Sequence, residues 1–180
     1  MVSRYAESNF LAIQGFVSSE FARSLLSATS NLAVRTVICG DENIRFGQQD
    51  VPEDHSLFAF FLRDDMVSLV QRLTQASDGI RWLVCWTSVY EVGQYINPHT
   101  DIDGDIQVTI CLQSPGQENG GRLCVELPGS TQELLLAPGD AVVFKASAIR
   151  HYTTPLAATE RDALPRRVVA VGRYFFGRPA

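Results

Sequence analysis

The chain is 180 residues long, 46% hydrophobic and 19% charged, a composition that excludes a disordered or low-complexity polypeptide and suits one domain with a proper core. Fifteen Lys and Arg against twenty Asp and Glu give a formal charge of −5, so no broad surface invites a polyanion or an acidic membrane. Cys39, Cys85, Cys111 and Cys124 form no C-x-x-C pair, which argues against a zinc cluster or disulfide framework. The N-terminal segment has no signal-peptide core, and no apolar run approaches the roughly 20 residues that span a bilayer. A soluble, reducing, cytoplasmic setting is expected.

Phe10 to Phe16 reads as a short first strand. Ser18 stands where an N-cap belongs, ahead of Phe21, Leu25 and Leu26 at helical spacing. Residues Cys39 to Glu53 are polar and contain Gly and Gln, and read as a long loop of the kind that lies over a site. A second helix is expected from about Asp54 to Gln75, with Leu57, Phe61, Leu62, Val67, Leu69, Val70 and Leu73 on its apolar side. Within it, Arg63-Asp64-Asp65 is either a break or a solvated face. Both helices are expected to buttress a sheet.

From Ile80 the pattern turns β-branched and aromatic. Strands are expected at Arg81–Tyr90, Ile106–Leu112, Arg122–Leu127, Glu133–Leu136, Ala141–Lys145 and Arg167–Phe176. Ser114 to Gly121 is turn-rich, and Pro138-Gly139-Asp140 is a tight turn. Many short strands with two early helices predict a mainly β protein, barrel or sandwich, with the helices packed outside.

One stretch carries chemistry: Tyr95-Ile96-Asn97-Pro98-His99-Thr100-Asp101. On extended backbone His99 and Asp101 point the same way, because side chains alternate in direction. A second histidine from a later strand, His151, completes two imidazoles and one carboxylate. That set is the facial triad of non-haem Fe(II) oxygenases, which leaves the opposite face of the metal open.

With those residues in place the sequence resembles the Fe(II)- and 2-oxoglutarate-dependent dioxygenases, closest to the prolyl-4-hydroxylase-like branch. The resemblance runs from about residue 10 to 177. Its landmarks come in the family's order: Tyr95, His99-Thr100-Asp101, Gly120-Gly121-Arg122-Leu123, Ala137-Pro138-Gly139-Asp140 through Phe144, His151 and Arg167. The fold implied is a double-stranded β-helix, or jelly roll, in one domain over 1–180. Helical N-terminal support would occupy about 1–79 and the jelly-roll core about 80–177.

The resemblance implies that His99, Asp101 and His151 ligate Fe(II), with 2-oxoglutarate as co-substrate, O2 as oxidant and ascorbate as an activator in vitro. Arg167 matches the residue that binds the far carboxylate of 2-oxoglutarate, a task that suits a bidentate guanidinium. Arg166 points to the opposite face, and Arg173 shares parity with Arg167 as a fallback. Tyr95 and Thr109 match hydroxyls that help hold the co-substrate; Tyr90 has strand placement only. Arg122 is the candidate for an anionic substrate group. Asp103 and Asp105 read as loop carboxylates, and Trp82, Trp86 and Phe144 as core. A carboxylate at Asp101 leaves no room on the metal for a halide, which favours hydroxylation over halogenation.

The implied activity is hydroxylation of an unactivated C–H bond in a small molecule or amino acid, free or peptidyl, with release of succinate and CO2. No nucleic-acid or membrane partner is expected. The alternatives are an AlkB-type nucleic-acid demethylase, whose Arg-x5-Arg spacing Arg167 and Arg173 reproduce, and a cupin-like protein that binds a metal or ligand without redox chemistry.

Overall fold

The computed structural model describes residues 2–39, 44–75 and 79–176. The elements in chain order are α1 (Val2–Ser8), β1 (Phe10–Ile13), α2 (Ser19–Ala28), β2 (Arg35–Cys39), β3 (Ile44–Asp50), α3 (Ser56–Phe61) and α4 (Asp64–Thr74). There follow β4 (Ile80–Tyr90), β5 (Ile96–His99), β6 (Ile106–Gln113), β7 (Leu123–Leu127), β8 (Ser130–Leu134), β9 (Ala141–Phe144), β10 (Arg150–Thr153) and β11 (Arg167–Phe176), with a 3-10 turn at Gln117–Asn119.

The strands form two antiparallel sheets. The larger has the order β1-β9-β6-β11-β4-β3-β2 and the smaller β5-β10-β7-β8. Alternation on the central strands builds two separate interiors. Ile106, Val108 and Ile110 of β6, with Ala170 and Tyr174 of β11, pack beneath Leu25, Leu57, Phe61 and Val70 of the helices. Cys111, Leu123, Val125, Val142, Phe144 and Ile149 fill the space between the sheets. The double-stranded β-helix expected from the sequence is the fold observed.

Polar ties fix the helical layer to the sheet. Ser18 caps α2 by accepting from Phe21 N at 3.1 Å. Gln49, buried on β3, donates to Thr29 O (3.0 Å) and Leu32 O (2.8 Å) just past α2 and accepts from Thr87 Oγ1 at 2.6 Å. His55 caps α3 through Nδ1, which accepts from Leu57 N, while its Nε2 bonds Ala28 O at 3.0 Å. Tyr174 Oη donates to Phe61 O at 2.7 Å, and burial raises the phenol's pKa far above its usual value.

Several elements differ from the sequence reading. The expected long loop Cys39–Glu53 contains β3, a strand that pairs with β4 and continues the larger sheet. Its polar residues misled because β3 buries Phe46 and Gln49 while Arg45 and Asp50 face solvent. Residues 40–43 of that loop, and residue 177 of the expected core, lie outside the described residues. The expected helix 54–75 is two helices. Arg63 takes an extended backbone between them, and Asp64 and Asp65 open α4 where its amide dipoles favour negative charge. The first 79 residues are therefore not helical support alone, since β1, β2 and β3 all belong to the larger sheet. The strand expected at Glu133–Leu136 lies earlier, at Ser130–Leu134, where it pairs with β7. No helix among the described residues is long and apolar enough to cross a membrane.

Candidate metal centre

Between the sheets, on the side nearer β3 and β4, lies a cavity of about 390 Å³. Its floor is the inner face of the larger sheet: Val84, Trp86, Ser88 and Tyr90 of β4, Gln107 and Thr109 of β6, and Arg167, Val169, Val171 and Arg173 of β11. The smaller sheet supplies the opposite wall.

His99 and His151 face each other across the β5–β10 pairing, in direct register, with ring centroids 4.4 Å apart. Asp101 is the second residue past the end of β5, its backbone N–H held by Ala146 O at 3.1 Å. Asp101 Oδ1 stands 3.9 Å from His99 Nε2, and Oδ2 stands 3.9 Å from His151 Nε2. One ligand atom from each residue lies within 4.8 Å of the others.

The donor set fits a divalent metal. His99 Nδ1 donates to Asn97 O (2.7 Å) and His151 Nδ1 to Ile149 O (3.1 Å), so each ring turns an Nε2 lone pair inward. Burial, and next the adjacent His99, push the His151 pKa down to about 4, which keeps that imidazole neutral and able to ligate. Phe144 packs its ring 4.7 Å from that of His151. Asp101 Oδ2 is buried without a hydrogen bond. Arg173 Nη2 approaches it to 2.7 Å, an ion-pair contact whose angle is not that of a hydrogen bond. A guanidinium at that distance offsets the charge of the buried oxygen, and Oδ1 remains with the two inward imidazole lone pairs as a donor set suited to a divalent metal.

The other predicted site residues fall in different places. Arg167 is 4% exposed, lines the cavity and stacks its guanidinium 5.0 Å above the Tyr90 ring. No acidic side chain among the described residues pairs with it. Arg166 is exposed on the other face. Thr109 is buried on the floor, and its hydroxyl accepts from Gln107 Nε2 at 3.4 Å. Tyr95 precedes β5 and is not among the lining residues; Tyr90 is. Arg122 is not brought to the cavity either. Leu123 points inward from β7, so its neighbour points outward, where Arg122 meets Glu133 at 3.6 Å and donates to Gln117 O at 3.2 Å. Phe144 is core as expected and also borders the cavity, Trp86 lines it, and Trp82 is 60% exposed and stacks on Phe175.

Sequence reasoning missed Gln107, Ser88, Gln48, Phe46, Ile96 and Thr153 as cavity residues. Strand parity carries part of that signal, since Thr153 is two residues beyond His151 and Gln107 two before Thr109. The register that brings β3 beside β4 is not written in either strand.

No family model matches the chain. A PKHD-type hydroxylase of Maricaulis maris is 37% identical over 83 residues, which cover 43% of this chain and 37% of that relative. The chain thus matches well under half the length of that protein. Among solved structures, a Pseudomonas putida prolyl-4-hydroxylase superposes with a TM-score of 0.76 at 19% identity, covering 98% of this chain and 97% of the other. An oxidoreductase of the 2OG-Fe(II) oxygenase family from Burkholderia pseudomallei gives a TM-score of 0.80 at 16% identity, covering 99% and 91%. In fold over nearly its whole length, and in sequence over its matching part, the chain resembles the prolyl-4-hydroxylase-like branch of the Fe(II)- and 2-oxoglutarate-dependent dioxygenases.

Proposed function

We propose that the protein is a non-haem Fe(II)- and 2-oxoglutarate-dependent oxygenase that hydroxylates an unactivated C–H bond of a small molecule or an amino acid, free or peptidyl. One oxygen atom of O2 enters the substrate and the other enters succinate, with CO2 released from the 2-oxo acid. The observation that carries this reading is the pairing, in one cavity, of a His99–Asp101–His151 set with a buried Arg167 that no acidic side chain among the described residues meets.

Bound Fe(II) supplies the oxygen chemistry; the chain's own residues do the rest. His99, Asp101 and His151 hold the metal from one side. Arg167 receives the far carboxylate of 2-oxoglutarate, and the Tyr90 face beneath the guanidinium keeps the fork flat. Thr109 stands on the floor beside that path and offers a hydroxyl. A guanidinium that borders a cavity with no acidic partner among the described residues suits a carboxylate ligand. Trp86, Val84 and Phe46 give the rest of the cavity an apolar wall with Gln48 and Ser88 set into it. A cavity at the small end of the ligand-pocket range suits a small molecule or one side chain of a peptide.

The test is succinate formation from 2-oxoglutarate under air with Fe(II) and ascorbate, across free amino acids, short peptides and methylated oligonucleotides. Succinate should rise with an amino acid or peptide and vanish in His99→Ala. Stimulation by methylated oligonucleotides alone would move the protein to the AlkB-type reading. Metal binding with no succinate under any condition would favour a cupin-like binding protein.

A further inference from the structure

Arg173 is the most heavily engaged side chain of the site. It stands on β11 opposite Gln107 of β6 and Val84 of β4. Its guanidinium lies 5.0 Å above the Trp86 ring. Nε and Nη2 both donate to Gln107 Oε1, at 3.1 and 2.7 Å, and Nη1 donates to Asp103 Oδ1 at 3.0 Å. Nη2 also stands 2.7 Å from Asp101 Oδ2. Three of its five N–H groups thereby donate hydrogen bonds, and its charge is also met by Asp101. Unlike Arg167, it has little left to offer a ligand.

The segment that carries Asp101 needs such an anchor. His99 and His151 sit in paired strands with their rings locked by backbone carbonyls. Asp101 lies in the irregular stretch between β5 and β6, beside a fully exposed Ile102, and its carboxylate makes no hydrogen bond among the described residues. The stretch is fastened to the end of β11 instead. Arg173 takes Asp101 and Asp103, Asp105 N donates to Tyr174 O at 3.0 Å, and Asp105 Oδ2 accepts from Phe176 N at 2.7 Å. Gly104 completes the fit. Its φ is +88°, and a Cβ there would fall 2.6 Å from both Cγ and Cδ of Arg173.

We propose that Arg173 is a positioning residue for the metal carboxylate: it holds Asp101 by Oδ2, so that the carboxylate is pre-set and offers Oδ1 as its free oxygen. The proposal rests on the metal reading above and assigns Arg173 away from 2-oxoglutarate. Two opposing effects act. A cation beside a metal carboxylate lowers its charge and weakens binding, whereas fixing a loop-borne ligand removes the cost of ordering it. Among the described residues Asp101 is otherwise tethered only through its backbone N–H to Ala146 O, which leaves the carboxylate free to turn, so the ordering effect is the larger. Residues that orient metal ligands are worth about 10- to 100-fold in affinity.

The experiment is titration of the full chain with Mn(II), free metal being read by electron paramagnetic resonance, together with the visible absorption spectrum of the Co(II) form. Arg173→Met should weaken Mn(II) binding at least tenfold and alter the Co(II) bands. Arg173→Lys should recover part of the loss, and Gly104→Ala, which displaces the Arg173 stem without touching a ligand, should shift binding in the same direction. Mn(II) affinity within twofold of the parent protein, or tighter, in folded Arg173→Met overturns the proposal while leaving the metal site standing. If Arg173→Met does not fold, Gly104→Ala decides by the same criterion. Absence of Mn(II) binding in the parent protein overturns the metal reading and the proposal with it.

Discussion

Arg167 and Arg173 share one face of β11, yet their surroundings divide the work between them. Arg167 is buried on an aromatic ring with no acidic partner among the described residues, and Arg173 is spent on Asp101, Asp103 and Gln107. Arg167→Met should therefore leave Mn(II) affinity unchanged and weaken 2-oxoglutarate binding. The loss of a charge-assisted bond is about 1.5–3 kcal/mol, or roughly 10- to 150-fold in the dissociation constant read by calorimetry. An unchanged constant would return the role to Arg173. Asp101→Ala should abolish both Mn(II) binding and succinate formation with an unaltered far-UV circular dichroism spectrum, because the residue lies between strands and contributes nothing to their pairing. Full activity in that variant would remove the triad reading.

Between elements, the weak points are close approaches rather than numbers of contacts. On β11, Gly172 lies under the Phe61 ring of α3, where an added Cβ would be 2.5 Å from Cδ1. Gly172→Ala should force the ring and α3 to shift and cost about 1–3 kcal/mol, measurable as a lower urea midpoint at unchanged slope. Gln49 is another such point, since it donates to two carbonyls that follow α2 while receiving the Thr87 hydroxyl. Gln49→Leu removes all three bonds and should cost about 1–3 kcal/mol in the same measurement. Burial likewise holds the Cys111 thiol up at about 11 and raises those of Cys85 and Cys124. These three should resist a thiol reagent at pH 8 until the chain is unfolded.

On the scale of the whole molecule, a site built where two sheets meet couples ligand binding to folding. The proposed ligands come from β5, β10 and the stretch after β5, and the arginine proposed for the co-substrate comes from β11. No partly unfolded form holds them together. Mn(II) and 2-oxoglutarate bind only the folded state on this reading. At a hundredfold excess over its dissociation constant, each should stabilise by about 2.7 kcal/mol. For Mn(II) alone that corresponds to a rise in the thermal midpoint of roughly 5–10 °C, read by calorimetry and absent in His99→Ala. A midpoint indifferent to Mn(II) in the parent protein would contradict a metal centre at this place.

The sequence by itself shows neither β5 nor β10 and displaces β8, but most strands from Ile80 onward, the cap at Ser18, the His99–Asp101–His151 trio and the arginine that opens the last strand are legible in it. Each is a local signal: alternation of apolar residues, a side-chain oxygen ahead of a helix, a His-x-Asp pair on extended backbone. Tertiary structure alone decided the rest. Phe46 and Gln48 became cavity residues because β3 joins β4, a long-range register that neither segment encodes. Arg122 fell outside because the parity of β7 turned Leu123 inward. Arg173 is engaged by Asp101 and Asp103 because a loop distant in sequence brings them to it. A residue's type fixes what it can bond, but which partners reach it is set by strand pairing, and that pairing is a property of the folded chain.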